Sequence, residues 1–144
     1  MNQIYQSSTD IRKNFSLTID RAVRERPQFI RRTRDRVVLI SDEYLSAILE
    51  SYKIFCTVEA EEDGSIVITN DAIDDIIANG STLAAAKRDL ANQLLDYAHE
   101  FYENFDLYVK ASNRRPHLAY VMKILMLGNP ASVEELFVCR NGKI

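Results

Sequence analysis

The stretch that decides the fold of the N-terminal part is VVLISDEY at residues 37–44. Its first four residues are apolar and mostly β-branched, which predicts a buried β-strand. Ser41 then offers a side-chain oxygen to free backbone N–H groups, so a helix is expected to begin directly after the strand. The apolar side of that helix carries Tyr44, Leu45, Ile48 and Leu49.

Upstream of this stretch, the sequence predicts a short edge strand at residues 2–6 and a helix capped by a serine or threonine at residues 7–9. Four apolar residues then recur at every fourth position, and they are Ile11, Phe15, Ile19 and Val23. This spacing predicts one apolar stripe on a single helix that runs to about Glu25. Pro27 is expected to end it.

A hairpin is predicted between this helix and the deciding stretch. Residues 29–32 form its first strand, and residues 34–36 form a tight polar turn. Residues 1–51 are therefore expected to form a β-α-β-β-α module. A module this small buries too little apolar surface to be stable alone, so a homodimer is the expected cover. The predicted dimer interface contains Phe15, Val37 and Leu39.

Residues 52–144 predict a second module of α+β class. Ile54, Cys56 and Val58 alternate with polar neighbours, and the acidic segment that ends in Gly64 marks a hairpin turn. A returning strand at residues 65–69 and a third at residues 73–78 are expected. The chain then predicts a long helix, a helix that begins at Pro116, and a short last helix through Phe137. The long helix carries the stripe Leu83, Ala86, Leu90, Leu94, Tyr97, Phe101 and Phe105.

Charge divides the chain in the same way. Residues 11–36 contain nine Arg or Lys and only three acidic residues, whereas the chain from Lys53 onward contains nine basic and fourteen acidic residues. A basic block in a chain of net charge −3 favours a polyanion partner for the first module alone. A solvated basic face without a partner is the alternative that charge leaves open.

The first module resembles the Phd/YefM antitoxin family over residues 1–51. The matching segments are STDIRKNF at residues 8–15, Ile19-Asp20, and VVLISDEY at residues 37–44. Hairpins of that family often have a turn with glycine, and this chain has TRDR at residues 33–36 instead. The resemblance implies a dimer that binds its own operator DNA and neutralises a partner toxin. The DNA-binding positions that it implies are Ser8, Arg12, Lys13, Arg31, Arg32 and Arg34.

The second module is similar, over a shorter motif, to HicB-type antitoxin modules. The segment NGSTLAAA at residues 79–86 leads into the predicted long helix, and that family has a similar short motif at the same place. The resemblance implies that residues 52–144 form a β-β-β-α module with C-terminal helices. Members of the Phd/YefM group usually end in an extended toxin-binding tail, so a folded second module is a departure. Tyr102 and Tyr108 are the predicted partner-binding residues, because they lie off the main apolar stripe.

No catalytic, metal or cofactor site is predicted. The two histidines lie at no metal-binding spacing, and the four glycines form no phosphate-binding motif. Cys56 and Cys139 lie in no CxxC pattern, which fits free thiols in a reducing cytoplasm. Residues 1–5 do not begin a secretion signal, and no apolar run could span a bilayer.

Three functions fit these observations. The first is the antitoxin of a type II toxin–antitoxin system, which binds operator DNA through its N-terminal dimer and a toxin through its C-terminal module. The second is a stand-alone transcriptional repressor whose second module serves dimerisation or ligand sensing. The third is an interaction scaffold that binds no nucleic acid. None of the three requires chemistry by this protein.

Overall fold

The computed structural model describes residues 4–142. The chain divides into two compact units, Met1–Ile48 and Leu49–Ile144, which are named the N-terminal unit and the C-terminal unit. The division falls close to Tyr52, where the second module was expected to begin. Residues 2 and 3 of the predicted first strand lie outside the described residues.

The N-terminal unit contains a three-stranded mixed sheet and three helices. The strands are β1 (Tyr5–Ser7), β2 (Gln28–Arg32) and β3 (Asp35–Leu39), and the helices are α1 (Ser8–Lys13), α2 (Phe15–Arg24) and α3 (Asp42–Ile48). The strand order is β1-β2-β3, with β1 parallel and β3 antiparallel to β2. Both outer strands are therefore sheet edges, which leaves backbone groups free for pairing.

The single helix predicted up to about Glu25 is wrong, because Asn14 divides it into α1 and α2. The backbone N–H of Asn14 donates to the carbonyl of Ile11 at 3.2 Å and ends α1. Its side-chain oxygen accepts from the N–H of Leu17 at 3.3 Å and begins α2. Asparagine offers both kinds of hydrogen bond at a helix end, and the apolar spacing does not reveal that competition.

The apolar stripe does not line the interior of the unit as one surface. Ile11 is buried, but Phe15, Ile19 and Val23 are 54%, 36% and 47% exposed. The buried residues of α2 are Thr18 and Ala22 instead. The more apolar side of α2 therefore faces outward in the single chain.

The strand at residues 37–40 was expected to be buried, and in the single chain it is not. Val37 and Val38 are 57% and 46% exposed, and Leu39 is half-buried. Strand β3 pairs with β2 along one edge only, and its other edge is open. The most apolar strand of the unit is thus also an unprotected sheet edge.

Up to residue 142, the C-terminal unit contains a four-stranded mixed sheet, four α-helices and a 3-10 helix at Arg115–His117. Its strands are β4 (Ile54–Ala60), β5 (Ile66–Asn70), β6 (Ala78–Gly80) and β7 (Phe137–Asn141), in the order β6-β5-β4-β7. Its helices are α4 (Leu83–Glu103), α5 (Phe105–Lys110), α6 (Leu118–Leu127) and α7 (Pro130–Glu134). The hairpin predicted around Gly64 is confirmed, since β4 and β5 are antiparallel and Gly64 has φ +88°.

Two predicted elements of this unit are wrong. Residues 73–77 form no strand, because the side chain of Asn70 binds the loop by accepting from Ala72 and Ile73 and donating to Ile73 and Ile76. The third strand is β6, which includes the predicted break at Asn79-Gly80. The last helix does not reach Phe137 either, because that residue begins β7, a parallel partner of β4.

The core of the C-terminal unit lies between the sheet and α4. Leu90, Leu94 and Phe101 of α4 are fully buried, as are Ile54 and Ile68 of the sheet. The helix stripe is confirmed in its centre but not at its ends, since Leu83 and Phe105 are 41% and 37% exposed. Gly80 lets β6 approach α4 closely, because a Cβ there would lie 2.5 Å from the backbone nitrogen of Ala86.

Lys123 holds the chain segment that leads into β4. Its ammonium group donates to the carbonyl oxygens of Leu49, Glu50 and Tyr52 at 3.0, 3.3 and 3.1 Å. Burial lowers the pKa of Lys123. Burying a charged group costs free energy, and hydrogen bonds to the three carbonyl oxygens offset that cost. The ammonium group therefore anchors the segment to α6.

Candidate nucleic-acid interface

The basic residues of the hairpin meet the start of α1 at one end of the N-terminal sheet. The register places Ser7 of β1 beside Arg31 of β2, and Arg31 beside Arg36 of β3. Ser7 is the helix cap, because its hydroxyl oxygen accepts from the N–H of Asp10 at 3.2 Å. Ser8 follows it as the first residue of α1 and is half-buried. Ser8 thus lies one residue beyond the position that pairs with Arg31.

Tyr5 supports two arginines on one face of the sheet. The guanidinium carbons of Arg31 and Arg36 lie 5.3 and 5.2 Å from the centre of the Tyr5 ring. Phe29 packs edge-on against the same ring, with 5.5 Å between ring centres. This arrangement of Tyr5, Arg31 and Arg36 is named the arginine pair. The face of the aromatic ring attracts both guanidinium groups and limits their positions.

Like charges placed directly opposite each other on neighbouring strands destabilise a sheet. Arg31 and Arg36 occupy such a position, and neither makes an ion pair within the described residues 4–142. Contact with an anion would convert their repulsion into attraction for a shared partner. The arginine pair therefore presents two positive charges that have no ion-pair partner among residues 4–142.

The turn of the hairpin is Thr33-Arg34, not the predicted segment 34–36. Arg32 and Asp35 are opposite each other in the register, and their side chains form an exposed ion pair at 3.1 Å. Thr33 has φ +55°, the backbone region in which glycine is favoured. Arg34 is exposed at the tip of the hairpin. The shorter turn is what brings Arg36 opposite Arg31.

The other predicted DNA-binding residues lie at the end of α1. Arg12 and Lys13 are both exposed, and Lys13 pairs with Asp10 at 3.8 Å. Sequence reasoning missed Arg36 and Tyr5 as members of the site. A two-residue turn centred on Thr33-Arg34 would have paired Arg31 with Arg36, so the missing information was the register of the hairpin.

The predicted partner-binding tyrosines have different surroundings in the C-terminal unit. Tyr102 is 64% exposed on α4. The hydroxyl of Tyr108 on α5 donates to the Glu100 carboxylate at 2.8 Å, and Arg114 lies 4.2 Å above its ring. The hydrogen bond to Glu100 raises the pKa of Tyr108. Tyr108 thus joins α5 to α4, whereas the side chain of Tyr102 is exposed on α4.

A small cavity of about 180 Å³ lies beside this cluster. The hydroxyl of Tyr97 lies 2.7 Å from Nδ1 of His117 and accepts from Arg114 at 3.3 Å. Burial lowers the pKa of His117, which favours the neutral ring. Asp74 and Asp75 also line the cavity. Within residues 4–142, no three His, Cys, Asp or Glu side chains are grouped to hold a metal ion.

The class of protein follows from comparison with known proteins. A crystal structure of a Syntrophomonas wolfei subsp. wolfei protein, assigned as an antitoxin part of a toxin/antitoxin system, is similar to this chain with a TM-score of 0.89 and 31% identity. The similarity covers 97% of this chain and 100% of that one. The shared fold is α+β, with two mixed sheets and C-terminal helices. A search of curated proteins gave no match.

The family is shown by the sequence itself. Residues 1–138 match the PHD-like family, described as antitoxin of toxin-antitoxin, RelE / RelB, TA system. The chain belongs to this family and is the antitoxin of a type II toxin–antitoxin system. The match extends over both units, beyond the resemblance stated for residues 1–51, and the HicB-like motif stays a prediction. Antitoxins of this family are typically non-enzymatic, and an antitoxin implies a cognate toxin.

No helix within residues 4–142 has the length and apolar character that a membrane crossing requires.

Replacing Thr33 with glycine is expected to stabilise the hairpin that carries the arginine pair. A β-branched residue at positive φ is strained, and its release should add about 1 kcal/mol to the free energy of unfolding. Slower hydrogen exchange of the β2 and β3 amides in Thr33→Gly would report this. Arg34→Gly is the matched control, because glycine at negative φ only adds freedom to the unfolded chain and should speed exchange. Faster exchange in Thr33→Gly would contradict the strained turn.

Proposed function

We propose that this antitoxin binds operator DNA through a dimer of its N-terminal unit and holds its toxin through its C-terminal unit. The observation that carries the first half is the arginine pair beside the start of α1. Phosphate groups neutralise such charges and release counterions from the DNA, which gives strong, salt-dependent affinity. Side chains at the hairpin tip are free to read base edges, as arginine does at guanine.

The dimer rests on the exposed apolar surface of the N-terminal unit. Phe15, Val37 and Leu39 are the proposed interface residues, with Ile19 and Val23 beside Phe15 on the outward side of α2. Burying one such side chain completely contributes about 1.5–3 kcal/mol. Several of them covered together would stabilise a unit in which α2 buries only Thr18 and Ala22.

A dimer also doubles the basic surface. Each copy would contribute its arginine pair together with Ser8, Arg12, Lys13, Arg32 and Arg34. Two copies related by a twofold axis match the pseudo-palindromic half-sites that dimeric DNA-binding proteins commonly read. The acidic C-terminal unit would then remain available to the toxin.

The arginine pair is tested by DNA binding of the full chain. Affinity for the duplex upstream of its own gene should exceed affinity for a scrambled duplex, as measured by fluorescence anisotropy at two salt concentrations. Arg31→Ala/Arg36→Ala removes four arginines from a dimer, so it should weaken binding at least about tenfold and lower the slope of log affinity against log salt by about 4. The same variant should remain dimeric.

The control for this experiment is Arg21→Ala/Arg24→Ala, which removes the same charge from the end of α2. Arg24 already pairs with Asp20 at 3.1 Å, so this variant should bind nearly as well as the unchanged chain. An equal loss in both variants would show that only net charge matters. An unchanged affinity in Arg31→Ala/Arg36→Ala would reject the arginine pair as a DNA contact.

The toxin is proposed to bind at the corner where α4 meets α5. Tyr102, Phe105 and Leu107 are 64%, 37% and 70% exposed there, and Tyr108 holds α5 to α4 through Glu100. Exposed acidic residues separate the apolar ones, and they are Glu103 and Asp106. An apolar patch with acidic neighbours fits a toxin surface that is apolar in its centre and basic at its rim.

Substitution at this corner should weaken the toxin complex and spare DNA binding. Leu107→Ser and Tyr102→Ser are each expected to lower affinity for the toxin encoded beside this gene at least about tenfold, since a few side chains at the centre of an interface carry most of its binding energy. Isothermal titration calorimetry measures the affinity of each variant for the toxin. Ile77→Ser is the matched control, because Ile77 is 55% exposed elsewhere on the unit. Wild-type affinity in both test variants would place the toxin elsewhere.

A further inference from the structure

The two cysteines of the chain stand directly opposite each other in the C-terminal sheet. Cys56 of β4 and Cys139 of β7 are partners in the parallel register, with Ile54 opposite Phe137 two residues earlier. Both are free thiols. Residues opposite each other on neighbouring strands present their side chains on the same face. This contact could not be predicted from the sequence, because 82 residues separate the two cysteines.

The spacing of paired strands suits a bond between the two sulfur atoms. Neighbouring strands lie roughly 4.7–4.9 Å apart. Disulfides join residues whose Cα atoms lie about 4.4–6.8 Å apart. The register therefore places the Cα atoms of Cys56 and Cys139 within the range that disulfides span.

The two thiols have different access to solvent. Cys56 is 1% exposed, whereas Cys139 is half-buried near the sheet edge. Burial, with Cys139 as its neighbour, raises the pKa of Cys56 to about 12. The thiolate is the reactive form of cysteine, so an oxidant from solvent meets Cys139 first. Cys56 is then the only cysteine within reach of the modified sulfur.

We propose that Cys56 and Cys139 form a reversible disulfide that staples β7 to β4 when the antitoxin meets a low-molecular-weight disulfide. The Cys139 thiolate attacks the reagent, forms a mixed disulfide and releases one thiolate. Cys56 then attacks the Cys139 sulfur as it loses its proton, and the second thiol leaves. The cysteines lose two electrons and two protons in total, and one small disulfide becomes two small thiols.

The staple would act on the edge of the C-terminal sheet. Strand β7 pairs only with β4 within the described residues, because the order is β6-β5-β4-β7. It is the last strand of the described residues, and its pairing with β4 holds residues 137–141 in the sheet. A covalent link across it restricts the unfolded chain and keeps β7 in place. Oxidation would thus lengthen the life of the folded C-terminal unit.

The test uses the full chain and oxidised glutathione, followed by alkylation of the remaining thiols and mass spectrometry. The unchanged chain should lose both alkylation sites, carry no glutathione and yield one peptide pair that joins Cys56 to Cys139. Dithiothreitol should restore both sites. Cys56→Ala should stop at glutathione on Cys139, and Cys139→Ala should leave Cys56 unmodified because it is buried.

A second measurement follows the unfolding of the same samples in urea. The oxidised chain should unfold at a higher urea concentration than the reduced chain, with no such difference in either single variant. If a variant fails to fold, the comparison of the oxidised with the reduced unchanged chain is still a complete test. Stable glutathione on Cys139 of the unchanged chain, disulfides only between chains, or two thiols that stay reduced would each overturn the proposal.

Discussion

The N-terminal unit depends on an apolar surface that it cannot bury by itself. Helix α2 presents Thr18 and Ala22 to the interior and leaves Phe15, Ile19 and Val23 largely uncovered. Apolar surface left in water gains nothing for folding, and a sheet of three short strands offers little else to bury. The proposed second copy would supply the missing contacts. It would also cover the exposed valines of β3 at the open edge of the sheet.

The basic surface follows from the strand topology of the same unit. Strand β1 pairs in parallel with β2, so the chain enters α1 at the same end of the sheet where the hairpin turns. Arg31 and Arg36 meet there over Tyr5, at a cost in mutual repulsion that an anion would relieve. Each chain has one such surface on its N-terminal unit, and a dimer would set two of them at a fixed separation. Geometry of this kind supplies spacing to a DNA site in addition to charge.

Much of the local structure could be predicted from the sequence, because it depends on neighbouring residues. The alternation around Cys56 predicted β4, the glycine at residue 64 predicted its hairpin, and VVLISDEY predicted β3 and α3 in the right order. The family resemblance at residues 1–51 also pointed to the antitoxin class that the family match shows.

Features that depend on distant residues or on one polar side chain were not predictable. Asn14 divides a helix by hydrogen bonds that the apolar period does not contain, and Asn70 turns a predicted strand into a loop. Strand β7 exists only because β4 offers a parallel partner far away in the chain. The arginine pair was missed for the same reason, since it required the register of the hairpin and not the identity of its residues.

The most direct test of this account is the mass of the full chain in solution. Sedimentation equilibrium should give twice the chain mass at micromolar concentration, and Phe15→Ser/Val37→Ser should give the single chain mass with its C-terminal unit still folded. The matched variant Ile77→Ser/Val138→Ser removes exposed apolar residues from the C-terminal unit and should stay dimeric. A monomer of the unchanged chain at all concentrations, or a dimer that only the C-terminal variant dissociates, would contradict the dependence of the N-terminal unit on a second copy.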